Sequence, residues 1–197
     1  PGDDREDVSM SELVELFVLE RVNSSPARFD MKKLEAINGE KIRNLTLDDF
    51  LSRALPFLLK DGVVSGKDEE LTVLRQALPI IQERIARMNE VSAMLKFLFT
   101  DEISFDQEAS AALSNEQAKA VIAKSLEVLQ GVDDWSHGAI EAKLREALID
   151  QMALKPRLAF SPVRIAVTGS HISPPLFESM ELLGKQRCIS RLNAAVS

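Results

Sequence analysis

Residues 160–185 read FSPVRIAVTGSHISPPLFESMELLGK, from Phe160 to Lys185, and their reading decides the fold. Val163, Ile165, Ala166 and Val167 form a compact apolar run interrupted by one charge, Arg164. Gly169 closes the run, because glycine tolerates the positive φ found at helix C-termini. Ser173 stands where an N-cap belongs, and Pro174 and Pro175 suit the first helical positions, where no N–H is required. Leu176, Phe177, Met180 and Leu183 follow at helical spacing until Gly184 stops the run. The stretch therefore reads helix, tight loop, helix, with Ser173 and free backbone N–H groups beside Arg164. The β-branched alternation of Val163–Val167 also fits an extended segment, and a sheet there would overturn the helical reading.

The rest of the chain extends the same pattern. Residues 1–8 are polar and acidic, in the manner of a linker. Ser9 and Glu12 form a capping box ahead of Met10, Leu13, Val14 and Phe17. Asn23-Ser24-Ser25-Pro26 reads as a turn. Asp30 caps a helix over Met31 to Ala36, and Asn38-Gly39 is expected to break it before Ile42. Thr46 with Asp49 opens a helix whose Leu47, Phe50, Leu51, Ala54, Leu55 and Leu58 face inward, with a kink expected at Pro56. Asp68 starts the next, with Leu71, Leu74 and Leu78 inward, and Pro79 is expected to begin a new segment. Val91 to Phe99 is strongly apolar. Ser114 with Gln117 is expected to cap a helix that Gly131 ends, and Ser136 to cap another holding Ile140, Leu144, Ala147, Leu148 and Met152. These readings give an all-α chain of small helical bundles in tandem, with Gly62, Gly131, Gly169 and Gly184 at helix ends.

Composition narrows the function classes. The chain has 197 residues and an apolar fraction of 45%, ordinary for a globular protein. No apolar run approaches the roughly 20 residues that a membrane helix needs. No signal peptide is evident, and the sequence opens on Pro1 without an initiator Met, as a fragment would. A single cysteine, Cys188, cannot form an internal disulfide, which suits a reducing cytoplasm. The net charge of −7 argues against generic coating of nucleic acid, which requires phosphate neutralisation. It leaves room for selective recognition by a few placed arginines.

Several motifs carry bland readings. Gly62-Val63-Val64-Ser65-Gly66-Lys67 has three residues between its glycines, and Asp68 follows the lysine, so it is a solvated turn rather than a phosphate loop. His137 and His171 lack a second ligand at metal-binding spacing and are read as surface or capping residues. Cys188 is read as a buried structural thiol and Trp135 as a packing residue at a helix start. Composition and periodicity alone favour a helical protein-interaction or scaffold module without nucleic-acid binding.

Two blocks of residues reverse that order. Pro162, Arg164, Ala166, Thr168, Gly169, Pro174, Leu176, Leu182, Leu183, Gly184, Lys185, Arg191 and Leu192 follow one pattern. It is roughly P-x-R-x-A-x-T-G, a short loop, P-x-L, L-L-G-K and a closing R-L. Pro26-Ala27-Arg28-Phe29-Asp30, Lys33-Leu34, Asn38 and Ile42-Arg43 form the second block. Both resemble the C-terminal, anticodon-binding half of bacterial glutamyl-tRNA synthetases, which are class I enzymes. The resemblance implies that residues 1–45 end a tRNA stem-contact region. It implies two anticodon-binding helical subdomains, at 46–104 and 105–197. It places Lys33 on the tRNA stem and Arg84 on the third anticodon base. Arg164, Ser173, Pro174 and Leu176 then surround the other two bases, with Leu176 offering an apolar surface to a base face. An alternative partner for Arg164 is a carboxylate, Glu178 or Glu181. The implied partner is glutamate tRNA, with glutamine tRNA left open, for a cytoplasmic monomer that contacts no membrane. The family's H-x-G-H-type and K-x-S-K-R-type signatures do not occur here. The expectation is therefore a fragment with no catalytic residue, metal or cofactor of its own. ATP and Mg would belong to a catalytic domain upstream, and this piece alone should not activate glutamate.

Overall fold

A computed structural model describes residues 8–21 and 29–196. The described residues contain eleven α-helices and no strand. The turn read at Asn23–Pro26 and the start of the Pro26–Asp30 block lie outside them. The helices are α1 (Met10–Leu16), α2 (Met31–Arg43), α3 (Leu47–Lys60), α4 (Asp68–Gln82), α5 (Val91–Phe99) and α6 (Gln107–Leu113). They continue with α7 (Glu116–Gln130), α8 (His137–Arg145), α9 (Pro156–Thr168), α10 (Leu176–Leu183) and α11 (Lys185–Val196). The decisive run Val163–Val167 is helical, inside α9.

Local chemistry sets most of the helix starts. Ser9, Asp30, Thr46, Asp106, Asn115 and Ser136 each accept a backbone N–H of the first turn, satisfying donors the helix cannot. Gly131, Gly169 and Gly184 are C-caps, and Gly62 follows the C-cap Asp61. After Arg145, α8 widens into a π-turn over Glu146–Gln151 and closes with Leu154 N–H donating to the Leu148 carbonyl.

Four expectations are corrected. Asn38-Gly39 does not break α2. Gly39 is buried and approaches Ala86, whose carbonyl accepts from the Asn38 side-chain amide. Pro79 lies inside α4 rather than at the start of a segment. Ser114 is the C-cap of α6, a helix unforeseen in the sequence, and Asn115 caps α7. Pro175 is the N-cap of α10, so neither Ser173 nor Pro174 belongs to that helix start.

One apolar core runs through the helices from α2 to α11. Phe50, Leu58, Leu74, Leu78 and Leu95 fill its first half, from α3, α4 and α5. Leu129, Val163 and Leu192 fill the second, where α7, α9 and α11 pack together. Two connections join the halves. Helix α10 packs on α4. Arginines of α11 reach the C-terminal carbonyls of α5: Arg191 donates to Phe97 and Thr100, and Arg187 to Leu98 and Thr100. This joint fixes how the segment after α4, which carries Arg84, meets α9, which carries Arg164.

Candidate nucleic-acid interface

Arg164 is the only charged residue in the second half of α9, and its neighbours Val163, Ile165, Ala166 and Val167 are buried. Their burial leaves Arg164 half-buried and pointed at the loop that follows the helix. Its Nη1 donates to Ser173 Oγ at 2.6 Å and to the Pro174 carbonyl at 2.9 Å. The Ser173 hydroxyl in turn donates to the Pro174 carbonyl at 2.9 Å. The alternative partners Glu178 and Glu181 are not in ion-pair contact with Arg164, and Glu181 bonds instead to His137 Nδ1 at 2.8 Å. The guanidinium thus pins the loop to the helix through neutral oxygens. Its Nε and Nη2 keep their N–H groups uncommitted to any described residue.

Arg84 stands nearby on the segment after α4, exposed. Burial pushes the Arg164 guanidinium below its ordinary pKa, and the Arg84 charge adds to that. Glu178 acts in the opposite direction. Arg84 and the Glu178 carboxylate thus lie within electrostatic range of Arg164, acting on it in opposite directions. Bringing like charges together without full compensation is unfavourable, and an electron-rich ligand between them relieves it.

The other residues of the site separate by burial. Ser173 is 7% exposed and Leu176 is 3% exposed. Leu176 is part of the core, so it does not offer the apolar surface to a base that was expected. Ser173 and Pro174 form the buried floor that aims Arg164. Lys33 lies apart on the exposed first turn of α2, where its N–H donates to Asp30. The loop over Gly62–Lys67 spends its N–H groups internally, since those of Ser65, Gly66 and Lys67 all donate to Glu70. Among the described residues no cluster of His, Cys, Asp and Glu could hold a metal ion. Cys188 is buried, and burial pushes its thiol up to about 12.

A cleft of about 370 Å³ opens beside Arg164, lined by Pro156, Arg157, Phe160, Ser161 and His171 as well. Phe160 is braced edge-on by Phe177, with ring centres 5.3 Å apart, and Arg145 lies over its ring at 5.5 Å. Sequence reasoning missed Arg157 as a member of this site. The signal was present, because positions 157, 160, 161 and 164 share one helix face.

Residues 49–196 match the family model described as anticodon binding domain. The chain belongs to the anticodon-binding domain family. The match spans Arg84, Arg164 and the whole of the 370 Å³ cleft, while Lys33 falls outside it. The chain is 47% identical over 197 residues to a glutamate–tRNA ligase of Nocardioides sp. (strain ATCC BAA-499 / JS614), covering 98% of this chain and 40% of that protein. It is 45% identical over 196 residues to the glutamate–tRNA ligase of Rhodococcus jostii (strain RHA1), with 98% and 40% covered. The anticodon-binding domain described here thus spans about two-fifths of the length of those relatives. Its fold is that of the matching part of a solved structure, a glutamate tRNA ligase from Elizabethkingia meningosepticum in complex with its amino acid. The TM-score is 0.78 at 24% identity, covering 100% of this chain and 38% of the other. Among the described residues no helix is long and apolar enough to cross a membrane.

Proposed function

We propose that this chain reads the anticodon of glutamate tRNA, as the tRNA-binding part of a glutamate–tRNA ligase. The observation that carries the proposal is Arg164, held on the floor of Ser173 and Pro174 beside an open cleft with guanidinium N–H groups left over for acceptor atoms, and with the exposed Arg84 within electrostatic range. Unpaired cytosine offers O2 and N3 as acceptors on its Watson–Crick edge, and a guanidinium satisfies both. Guanine presents N–H donors there, which a guanidinium repels. Glutamate anticodons end in C and glutamine anticodons in G, so Arg84 at the third base separates the two. Arg164 serves the other two bases, held in place by Ser173 and Pro174 over Leu176. Lys33 contacts the tRNA stem. Ligation of glutamate, with ATP and Mg, belongs to the rest of the ligase, which acts in the cytoplasm as a monomer.

The test is a titration of the 197-residue chain with glutamate tRNA and its single-base anticodon variants. The chain should bind the tRNA ending in C more tightly than the variant ending in G. Arg84→Gln should narrow that gap by ~1–3 kcal/mol, the scale of one good base contact. Equal binding of both tRNAs by the unmutated chain would remove the proposal's basis.

A further inference from the structure

The cleft beside Arg164 contains a second arginine that reading one base does not require. Its lining includes Arg157, Arg164 and His171 and no carboxylate, in a chain whose net charge is −7. Arg157 is exposed and has no hydrogen bond or ion pair among the described residues. On its other side it borders a cleft of about 150 Å³ whose walls, including Asn115, Gln117 and Ser161, also lack an acid. His171 has only a loose neighbour, with Nε2 at 3.9 Å from the exposed carboxylate of Glu108. These two side chains therefore form a wall of one uncompensated guanidinium and one imidazole, both open to acceptor atoms.

We infer that Arg157, with His171 beside it, is a backbone-phosphate subsite that holds the tRNA strand while Arg164 meets a base. The inference rests on the anticodon-reading proposal and deepens it. Geometry separates the two arginines. Seven residues along α9 correspond to ~10 Å of helix rise between their backbone positions, and Arg164 is tied to the loop by Ser173 and Pro174 while Arg157 is not. Arg164 has a buried floor in Ser173 and Pro174 that fixes its direction, as base reading requires. Arg157 has no such floor, and an exposed guanidinium suits phosphate oxygens approached from several angles. Phosphate contacts fix register without carrying sequence information. Ser161, between them on the same face, adds a hydroxyl that can donate to a sugar or phosphate oxygen.

The test compares the unmutated chain with Arg157→Gln, Arg157→Lys and His171→Gln. Each is titrated with glutamate tRNA and its anticodon variants at several salt concentrations, and each is melted. Arg157→Gln should weaken every tRNA by the same several-fold factor and lower the salt slope by about one. Its melting temperature and its order of preference among anticodons should not move. Arg157→Lys should restore most of the affinity, and His171→Gln should show a smaller uniform loss. Unchanged affinity and salt slope in Arg157→Gln would make Arg157 a solvated surface residue and overturn the inference. So would a changed order of anticodon preference, which would make it a base contact. A chain that binds tRNA without distinguishing anticodons fails at the unmutated protein, a result that strikes the parent proposal as well.

Discussion

At Gly169 two constraints coincide. Its φ is +80°, which closes α9 through an N–H bond to the Ile165 carbonyl. A Cβ built there would lie 2.4 Å from Ile103 Cγ2, on the connection between α5 and α6. Gly169→Ala must therefore accept a left-handed backbone and displace Ile103. The expected cost is ~2 kcal/mol or more, read as a lower midpoint in urea with an unchanged slope. An alanine variant as stable as the parent would show that this corner rearranges freely. Gly169 was readable in the sequence because a glycine after an apolar helical run has few other uses. Ser173 was not readable in the same way. A serine ahead of two prolines looks like an N-cap, yet each residue preceding a proline is driven out of the helical region. Ser173 and Pro174 both precede one, so the helix starts only after Pro175, and the serine hydroxyl turns to Arg164 instead.

Among the elements, Pro79 was misread as a segment start, although prolines sit inside helices here. Pro56, Pro79 and Pro162 all lie inside helices. Each leaves the carbonyl four residues earlier without its N–H partner, at Ser52, Arg75 and Leu158. All three of those residues are exposed, so water can serve the freed oxygen and the helix continues. The apolar spacing already carried this information, since Leu74, Leu78 and Ile81 keep one face buried straight across Pro79. The turn at Asn38-Gly39 was misread for a related reason, because a glycine pressed against Ala86 looks the same in sequence as a helix breaker. Helix α6 was missed because seven residues hold too little periodicity to register. Pro79→Ala restores one helical bond on the exposed side of α4 and should stabilise the chain. The gain is about 1–2 kcal/mol after the greater freedom of the unfolded alanine chain is counted. A thermal melt checks it, and a lower midpoint would mean that the proline ring makes a contact worth more than the bond.

For the whole molecule, the arginines proposed to face tRNA depend on arginines that are not. Arg84 stands on the first half of the molecule and Arg164 on the second, and α11 ties the halves together. Arg191 is buried and donates to three carbonyls, those of Val167, Phe97 and Thr100, so replacing it would strip Val167 and Phe97 of its bonds, leave Thr100 to Arg187 alone and threaten folding. Arg187 is the gentler probe. It is half-buried and donates to Leu98 and Thr100, and Thr100 keeps its bond from Arg191 when Arg187 is lost. Arg187→Met preserves much of the stem's packing and removes both bonds, at a cost of ~1–3 kcal/mol or a fall of about 2–12 °C in melting temperature. The folded mutant should still bind tRNA, because every residue proposed to touch it remains. What should weaken is the coupling between Arg84 and Arg164, since their separation is set by this joint. A double-mutant cycle of Arg84→Gln and Arg164→Lys measures that coupling from tRNA affinities, once in the parent and once in Arg187→Met. The coupling should shrink toward zero in the second background while each single effect keeps its sign. If the two cycles give the same coupling in protein that is folded, α10 packed on α4 suffices to hold the halves in register, and the α11 clamp contributes to stability alone.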